Sequence, residues 1–359
     1  MSKPVFNGTT NTWASTASWS TGSIPITADE AYLRSSSQAI GAGLDQSAVT
    51  LAYLEIEMTH TGEVGLAGTP LQVGATRWRF GSPSNSATAG GGSGRINVDF
   101  GAVAFTGVVE GSKSGSTDTG LEPIRIIGSA AANELYVTGG RVGVATGTPA
   151  ETATLSKFSI DGTSSYLRLG NGVTWTTGYQ AAGTLKLESG GTTMTQDGGT
   201  LYHYGTGVIR TSRIGGTAYL DSRPSALAVT SITSNASVAT VAITAHGYDA
   251  GDTVYVAGAD QAEYNGFKTV VASSANAFTF ACASDAVTPA TGTITTLLAM
   301  ASLMVPNGGK ANFSQDARDV AVAAITLESG ASLIVNSARP GHLIWGTLTL
   351  EGAGAIRTE

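Results

Sequence analysis

The chain has 359 residues, a formal net charge of −7, 42% hydrophobic residues and 13% charged ones. Enough apolar material is present for one large β domain or two ordinary ones, which excludes a disordered tail. The 19 Lys and Arg residues are scattered among 26 Asp and Glu, which argues against a nucleic-acid partner, because phosphate neutralisation needs clustered cations.

The first residues, Met1 to Gly8, lack an apolar core of the signal-peptide kind, so a secretory leader is not expected. Residues 1–40 carry Trp13 and Trp19 in a Ser/Thr-rich setting, followed by Ile24-Pro25-Ile26. Two large aromatics among small residues have two readings. They plug the first layer of core, or, with Ile24 and Pro25, they form a docking surface.

Residues 41–230 read as a procession of short strands, among them Val49 to Glu57, Arg77 to Phe80, Arg95 to Phe100, Ile124 to Ile127 and Leu135 to Val137. Apolar and polar residues alternate in each, and Gly, Ser and Asp turns divide them. From Leu167 the spacing tightens. The pairs Leu167/Leu169, Leu185/Leu187, Tyr202/Tyr204 and Ala218/Leu220 lie 18, 17 and 16 residues apart, as coils of a solenoid would, each covering the one before it. The glycine-packed run Ser82 to Gly94 leads into an alternating strand and not a helix, so it reads as a loop and not a phosphate cradle.

The rung phrases stop over residues 231–295. Strands of five or six residues are joined there by turns at His246-Gly247, Gly251-Asp252 and Tyr264-Asn265-Gly266, which predicts a small antiparallel barrel or sandwich. The order His-Gly, Gly-Asp-x-Val, Tyr-Asn-Gly resembles a β module that recurs in phage virion proteins. The resemblance implies an appended decoration, with Tyr248, Tyr264 and Asn265 as its outward-facing candidates. Cys282 lies between apolar positions and reads as a small buried hydrophobe; a single cysteine allows no intrachain disulfide framework. The apolar run Leu297 to Val305 is too short to span a bilayer, so no membrane partner is expected. Rung phrases resume over residues 296–359.

Three glutamates, Glu188, Glu328 and Glu351, follow the same Leu-x-Leu phrase. Stacked on neighbouring rungs and buried, two carboxylates would force one pKa upward, as acidic dyads do. The Ser-Gly or Gly after each marks a surface corner instead. The histidines His60, His203, His246 and His342 show no metal-ligand spacing. Gly111-Ser-Lys-Ser-Gly115 does not lead into a helix, as a nucleophile elbow requires. No catalytic, cofactor or metal residue is expected, and the chain does not read as an enzyme.

The segment Ile40 to Ala52, with Gly92-Ser-Gly-Arg95-Ile96, Asp118 to Ile124, Gly139 to Val144 and Gly215 to Leu220, resembles a family of phage-encoded repetitive β proteins. The expected fold is all-β: a parallel β-helix or β-solenoid shaft with the small antiparallel module inserted. The resemblance implies a virion structural protein made in the host cytoplasm. A homotrimeric capsid decoration or head fibre is expected, docked on the major capsid protein or another virion protein. The alternative is a tailspike or tail fibre that binds, and even cleaves, a host surface glycan.

Overall fold

In a computed structural model of the chain, the described residues are 1–66, 68–81, 95–110, 122–147, 151–205, 207–220, 225–314, 319–338 and 342–358. They divide into two compact units, Met1–Ser189 with Gln196–Tyr202, and Gly190–Thr195 with His203–Glu359. Both are built of β-strands; the helical turns among the described residues are the short 3-10 segments Thr16–Ser18 and Ala262–Tyr264.

In the first unit one sheet stacks Val5–Phe6, Glu30–Leu33, Tyr53–Ile56, Arg77–Phe80, Thr106–Val109, Glu134–Val137, Ala153–Ile160 and Val173–Gln180, each parallel to the next. A second sheet stacks Asp45–Leu51, Leu71–Ala75, Ile96–Asp99, Ile124–Ile127, Arg141–Val144, Tyr166–Leu169 and Thr184–Leu187, again all parallel. From Glu30 onward, successive strands alternate between the two sheets. Each coil therefore gives one strand to each sheet, which is the logic of an all-β solenoid.

Period-2 alternation points one set of side chains inward. Ala31, Leu54, Trp78, Gly107, Leu135, Phe158 and Gly178 form one inward column of the first sheet. Size is compensated along it. Glycine sits directly beside Trp78, and a β-carbon at Gly107 would come within 2.0 Å of the Trp78 ring. Gly107→Ala is therefore expected to overpack the core and cost about 1–3 kcal/mol, read as a lowered denaturant midpoint; an unchanged midpoint would show that the Trp78 ring can swing aside.

The expected rungs are present, with Leu167 opposite Leu185 and Leu169 opposite Leu187. One register differs. In Thr200–His203 the fully buried residues are Leu201 and His203, while Tyr204 is exposed. The spacing favours Tyr202/Tyr204 because a tyrosine pair looks more core-like than Leu-x-His. The expected strand Val49 to Glu57 is also two strands, Asp45–Leu51 and Tyr53–Ile56, which belong to different sheets. The chain turns its corner at Ala52, whose N–H donates to Asp29 O. Rung stacking begins before residue 41, since Glu30–Leu33 already pairs with Tyr53–Ile56.

In the second unit, Ile209–Ile214, Gly292–Val305, Val320–Leu327 and Leu343–Leu350 pair in parallel. So do Thr217–Leu220, Lys310–Phe313, Ser332–Val335 and Ala355–Thr358. Between them lie antiparallel strands. Ser231–Asn235, Val238–Ala242, Ala277–Ala281 and Ala272–Ser274 form one sheet, and Thr253–Ala259 pairs with Gly266–Thr269 and with the start of Gly292–Val305. Ile232, Val241, Tyr248, Val254, Val256, Tyr264, Phe278, Phe280 and Ile294 pack into one core there.

Gly292–Val305 is 14 residues long and serves both arrangements. Its residues up to Ala299 pair antiparallel with Thr253–Ala259, and from Met300 on it pairs in parallel with Val320–Leu327. The expected boundary at 295/296 thus falls inside one continuous strand. Leu297, Ala299 and Ala321, with Tyr255, Phe267 and Ile344, bury a further apolar seam beside it. A shared strand and a buried seam thus join the antiparallel strands to the parallel ones.

Candidate functional site

The candidate docking residues are placed against that role. Trp13 and Trp19 are 0% and 2% exposed, and the Trp19 indole N–H donates to Trp13 O at 2.9 Å. Their rings meet edge-on at 4.7 Å, and Trp19 meets Phe6 in the same way at 5.5 Å. They plug the first layer of core, the first of the two readings, because bulky indoles are the groups best able to close a coil made of small residues. Pro25 is also buried and Ile24 half-buried, while the neighbouring Ile26 is exposed.

Tyr248, Tyr264 and Asn265 likewise do not face outward as free groups. Tyr264 is fully buried and donates its hydroxyl to Val287 O at 2.9 Å. Tyr248 is buried with its hydroxyl 3.0 Å from Thr296 Oγ1. Asn265 brackets one residue, accepting from the Ala259 N–H at 3.0 Å and donating to Ala259 O at 2.7 Å. His246 Nδ1 accepts from the Tyr248 N–H at 3.0 Å, and Gly251 and Gly266 hold positive φ. The His-Gly, Gly-Asp, Tyr-Asn-Gly order is thus turn chemistry. What this region does present is Val238, Val271 and Val287.

The three phrase-ending glutamates occupy corners. Glu328 accepts from the Asn307 N–H at 3.1 Å, Glu188 pairs with Arg168 at 2.7 Å, and Glu351 is exposed. Glu328 and Glu351 follow the register partners Leu327 and Leu350, as expected, but Glu188 follows a strand of the other kind of sheet. The runs Ser82 to Gly94 and Gly111 to Gly115 lie outside the described residues.

All four histidines are buried. His60 is the extreme case: it is 1% exposed, lies edge-on to Phe6 at 5.9 Å, and neither ring nitrogen has a partner among the described residues. Burial alone pushes its pKa down to about 4 from 6.5. The unfolded chain therefore binds the proton that the folded one refuses. Stability from this group is complete above pH 6.5 and falls by about 3 kcal/mol as pH drops through 6.5 to 4. His60→Phe should flatten that slope in pH-dependent denaturation; an unaltered slope would place the acid sensitivity elsewhere.

Alternation alone does not reveal where the scarce charges gather. They stand on the outward faces of the first unit's sheets, at positions that alternate with the core columns. On the first sheet Glu30, Tyr53 and Arg77 form one column and Tyr32, Glu55 and Arg79 the next. Tyr32 donates its hydroxyl to Glu30 at 2.7 Å, as Tyr136 does to Glu134. The Tyr32 hydroxyl and the Lys3 ammonium hold the Glu30 carboxyl below its usual range, and burial followed by that same bond pushes Tyr32 up to about 12. Arg79 bridges Glu55 and Glu110. These two carboxylates, with Glu57, Met58, Thr59 and Arg79, line a groove of about 430 Å³. Glu55 and Glu110 share the Arg79 guanidinium, so this face is one of paired charges and tyrosine hydrogen bonds.

On the second sheet Arg141 is opposite Tyr166 and Arg168 opposite Lys186. Arg168 lies 3.6 Å from the buried Glu122 and 2.7 Å from Glu188. Burial, then the Glu122 charge, pushes Tyr166 up to about 12. The signal for both faces is in the strand phrases themselves. Glu30-Ala31-Tyr32, Tyr53-Leu54-Glu55, Arg77-Trp78-Arg79 and Tyr166-Leu167-Arg168 each set charge or tyrosine at alternate positions.

No family model, no curated protein and no solved structure matches this chain. Among the described residues no group of three or more His, Cys, Asp or Glu could hold a metal ion, and no helix is long and apolar enough to cross a membrane.

Proposed function

We propose that this chain is a non-enzymatic structural component of a phage particle: a β-solenoid shaft carrying an inserted antiparallel module over 231–295, assembled as a homotrimer on the capsid surface. The observation that carries the reading is how the polar groups are used. Gln180 donates to Gly183 O and Thr200 O, Asn133 donates to Gly128 O and Thr154 O, and Arg79 joins Glu55 to Glu110 across coils. Side chains that would do chemistry elsewhere tie one coil to the next, which suits a stiff, long-lived scaffold. The charge-poor, Ser/Thr/Gly-rich composition supports the same reading.

With Trp13 and Trp19 in the core, docking falls to the exposed stretch around Ile26. The shared strand Gly292–Val305 supports a fixed module over a tethered one. Immunogold electron microscopy of intact particles tests the placement. Label distributed over the shell is the expected result; label at the tail alone, or on no part of the particle, would overturn it. Mass photometry of the purified chain at micromolar concentration should give three protomers, and monomers would remove the trimer.

A further inference from the structure

The outward face of the second sheet in the first unit carries two cations that have no counter-ion among the described residues. The Arg141 guanidinium lies 4.1 Å above the Tyr166 ring, and the Lys186 ammonium lies 5.6 Å from the same ring and 5.9 Å from that of Tyr202. Their neighbours are neutralised, Arg125 by Glu151 and Arg168 by Glu122 and Glu188. No carboxylate among the described residues pairs with Arg141 or Lys186, and Arg141 Nε is buried without an acceptor there. Charge-assisted bonds to a carboxylate are the strong option for both groups. In a chain of net charge −7, two such cations left on tyrosine faces mark a place where an anion belongs.

Geometry selects the kind of anion. Arg141 stands on the strand before Tyr166 and Lys186 on the strand after it, so the charges sit on either side of one ring and do not converge on a point. A single phosphate or sulfate would reach one of them. A linear polymer with charges along its length would reach both. Strands repeat about every 4.8 Å, close to the rise of an extended pyranose chain, so a sugar acid can meet each coil in turn; the wider phosphate spacing of a nucleic acid does not match. The Tyr166 hydroxyl supplies a donor for sugar hydroxyls, and the Tyr202 ring flanks the Lys186 ammonium.

We propose that Arg141, Tyr166, Lys186 and Tyr202 form a binding strip for an acidic polysaccharide of the polyuronate class, lying across the coils. The site does not depend on capsid placement or on the trimer. Alginate oligosaccharides titrated into the full chain should bind, neutral dextran oligosaccharides of equal length should not, and the alginate affinity should fall as sodium chloride is raised. R141Q/K186Q should weaken alginate binding at least tenfold with the thermal midpoint retained, whereas R77Q, which removes an exposed cation on the other sheet, should leave it unchanged. Should R141Q fail to fold, K186Q alone carries the comparison. Equal binding of dextran, equal loss in R77Q, or competition by inorganic sulfate at matched charge would each overturn the strip. So would a face found to hold a second copy of the chain, seen as self-association that K186Q abolishes.

Discussion

Trp19→Ala is expected to lower the unfolding free energy of the first unit by about 3–5 kcal/mol, the range for removing a large aromatic from a packed core. Trp19 is 2% exposed, sits edge-on to both Phe6 and Trp13, and loses an indole hydrogen bond on truncation. The site is poorly able to collapse. Its neighbours are themselves rigid rings, and Phe6 lies on the two-residue strand Val5–Phe6, held to Glu30–Leu33 and bridged to Trp19. Trp19→Phe keeps the ring packing and gives up the bond to Trp13 O, so a loss of about 1 kcal/mol is expected. Hydrogen exchange over residues 5–33 and the denaturant midpoint are the measurements. A docking role would give the reverse pattern: Trp19→Ala would fold with unchanged stability and fail to bind its partner.

That pair of tryptophans also shows how far sequence alone reaches. Period-2 alternation identifies Leu167, Leu169, Leu185 and Leu187 as inward residues, because alternation is a local property of the chain and the register is then set by equal spacing. Whether Trp13 faces core or solvent is set by which segment lies over it. Here that is the segment carrying Trp19, whose ring and indole N–H meet Trp13, together with the bridge from Thr12 to Ala42, and neither leaves a periodic trace. Leu201 and His203 escape detection for a different reason. Histidine in an inward position is judged polar from sequence, yet in a fully paired strand its burial is decided by parity and not by hydropathy.

The charged faces are half legible. Each phrase shows its own outward residues, but the columns Glu30–Tyr53–Arg77 and Arg141–Tyr166 depend on coil lengths that vary through the first unit, since Ile126 faces Val144 and Val144 faces Leu169. Unequal loops conceal the register that makes neighbours of distant residues. The same holds for the module. Its turn residues stand at the expected positions, yet the order that looks like a recognition surface describes how its backbone is folded. Tyr264 and Asn265 are specified by Val287 O and Ala259, partners too far along the chain or too dependent on the turn to be inferred.

Arg210→Met is expected to destabilise the second unit by about 3–5 kcal/mol, more than removal of the carboxylate it serves. Arg210, on Ile209–Ile214, pairs with Asp252 and lies 3.3 Å from Asp249 in the loop before Thr253–Ala259. The two sides of the pair are unequal: the Asp252 side chain is 1% exposed and that of Arg210 is 32% exposed. Removing the arginine strands a buried carboxylate that keeps the Asp249 N–H as a donor at 2.8 Å. That is the costly way to break an ion pair. Removing the carboxylate by Asp252→Asn leaves a guanidinium that reaches water and can turn to the exposed Asp249, so about 1–2 kcal/mol is expected after allowing for solvent screening. Denaturant midpoints of both variants at neutral pH decide the matter. Equal losses would mean that Arg210 holds the loop by packing its stem and not by neutralising Asp252.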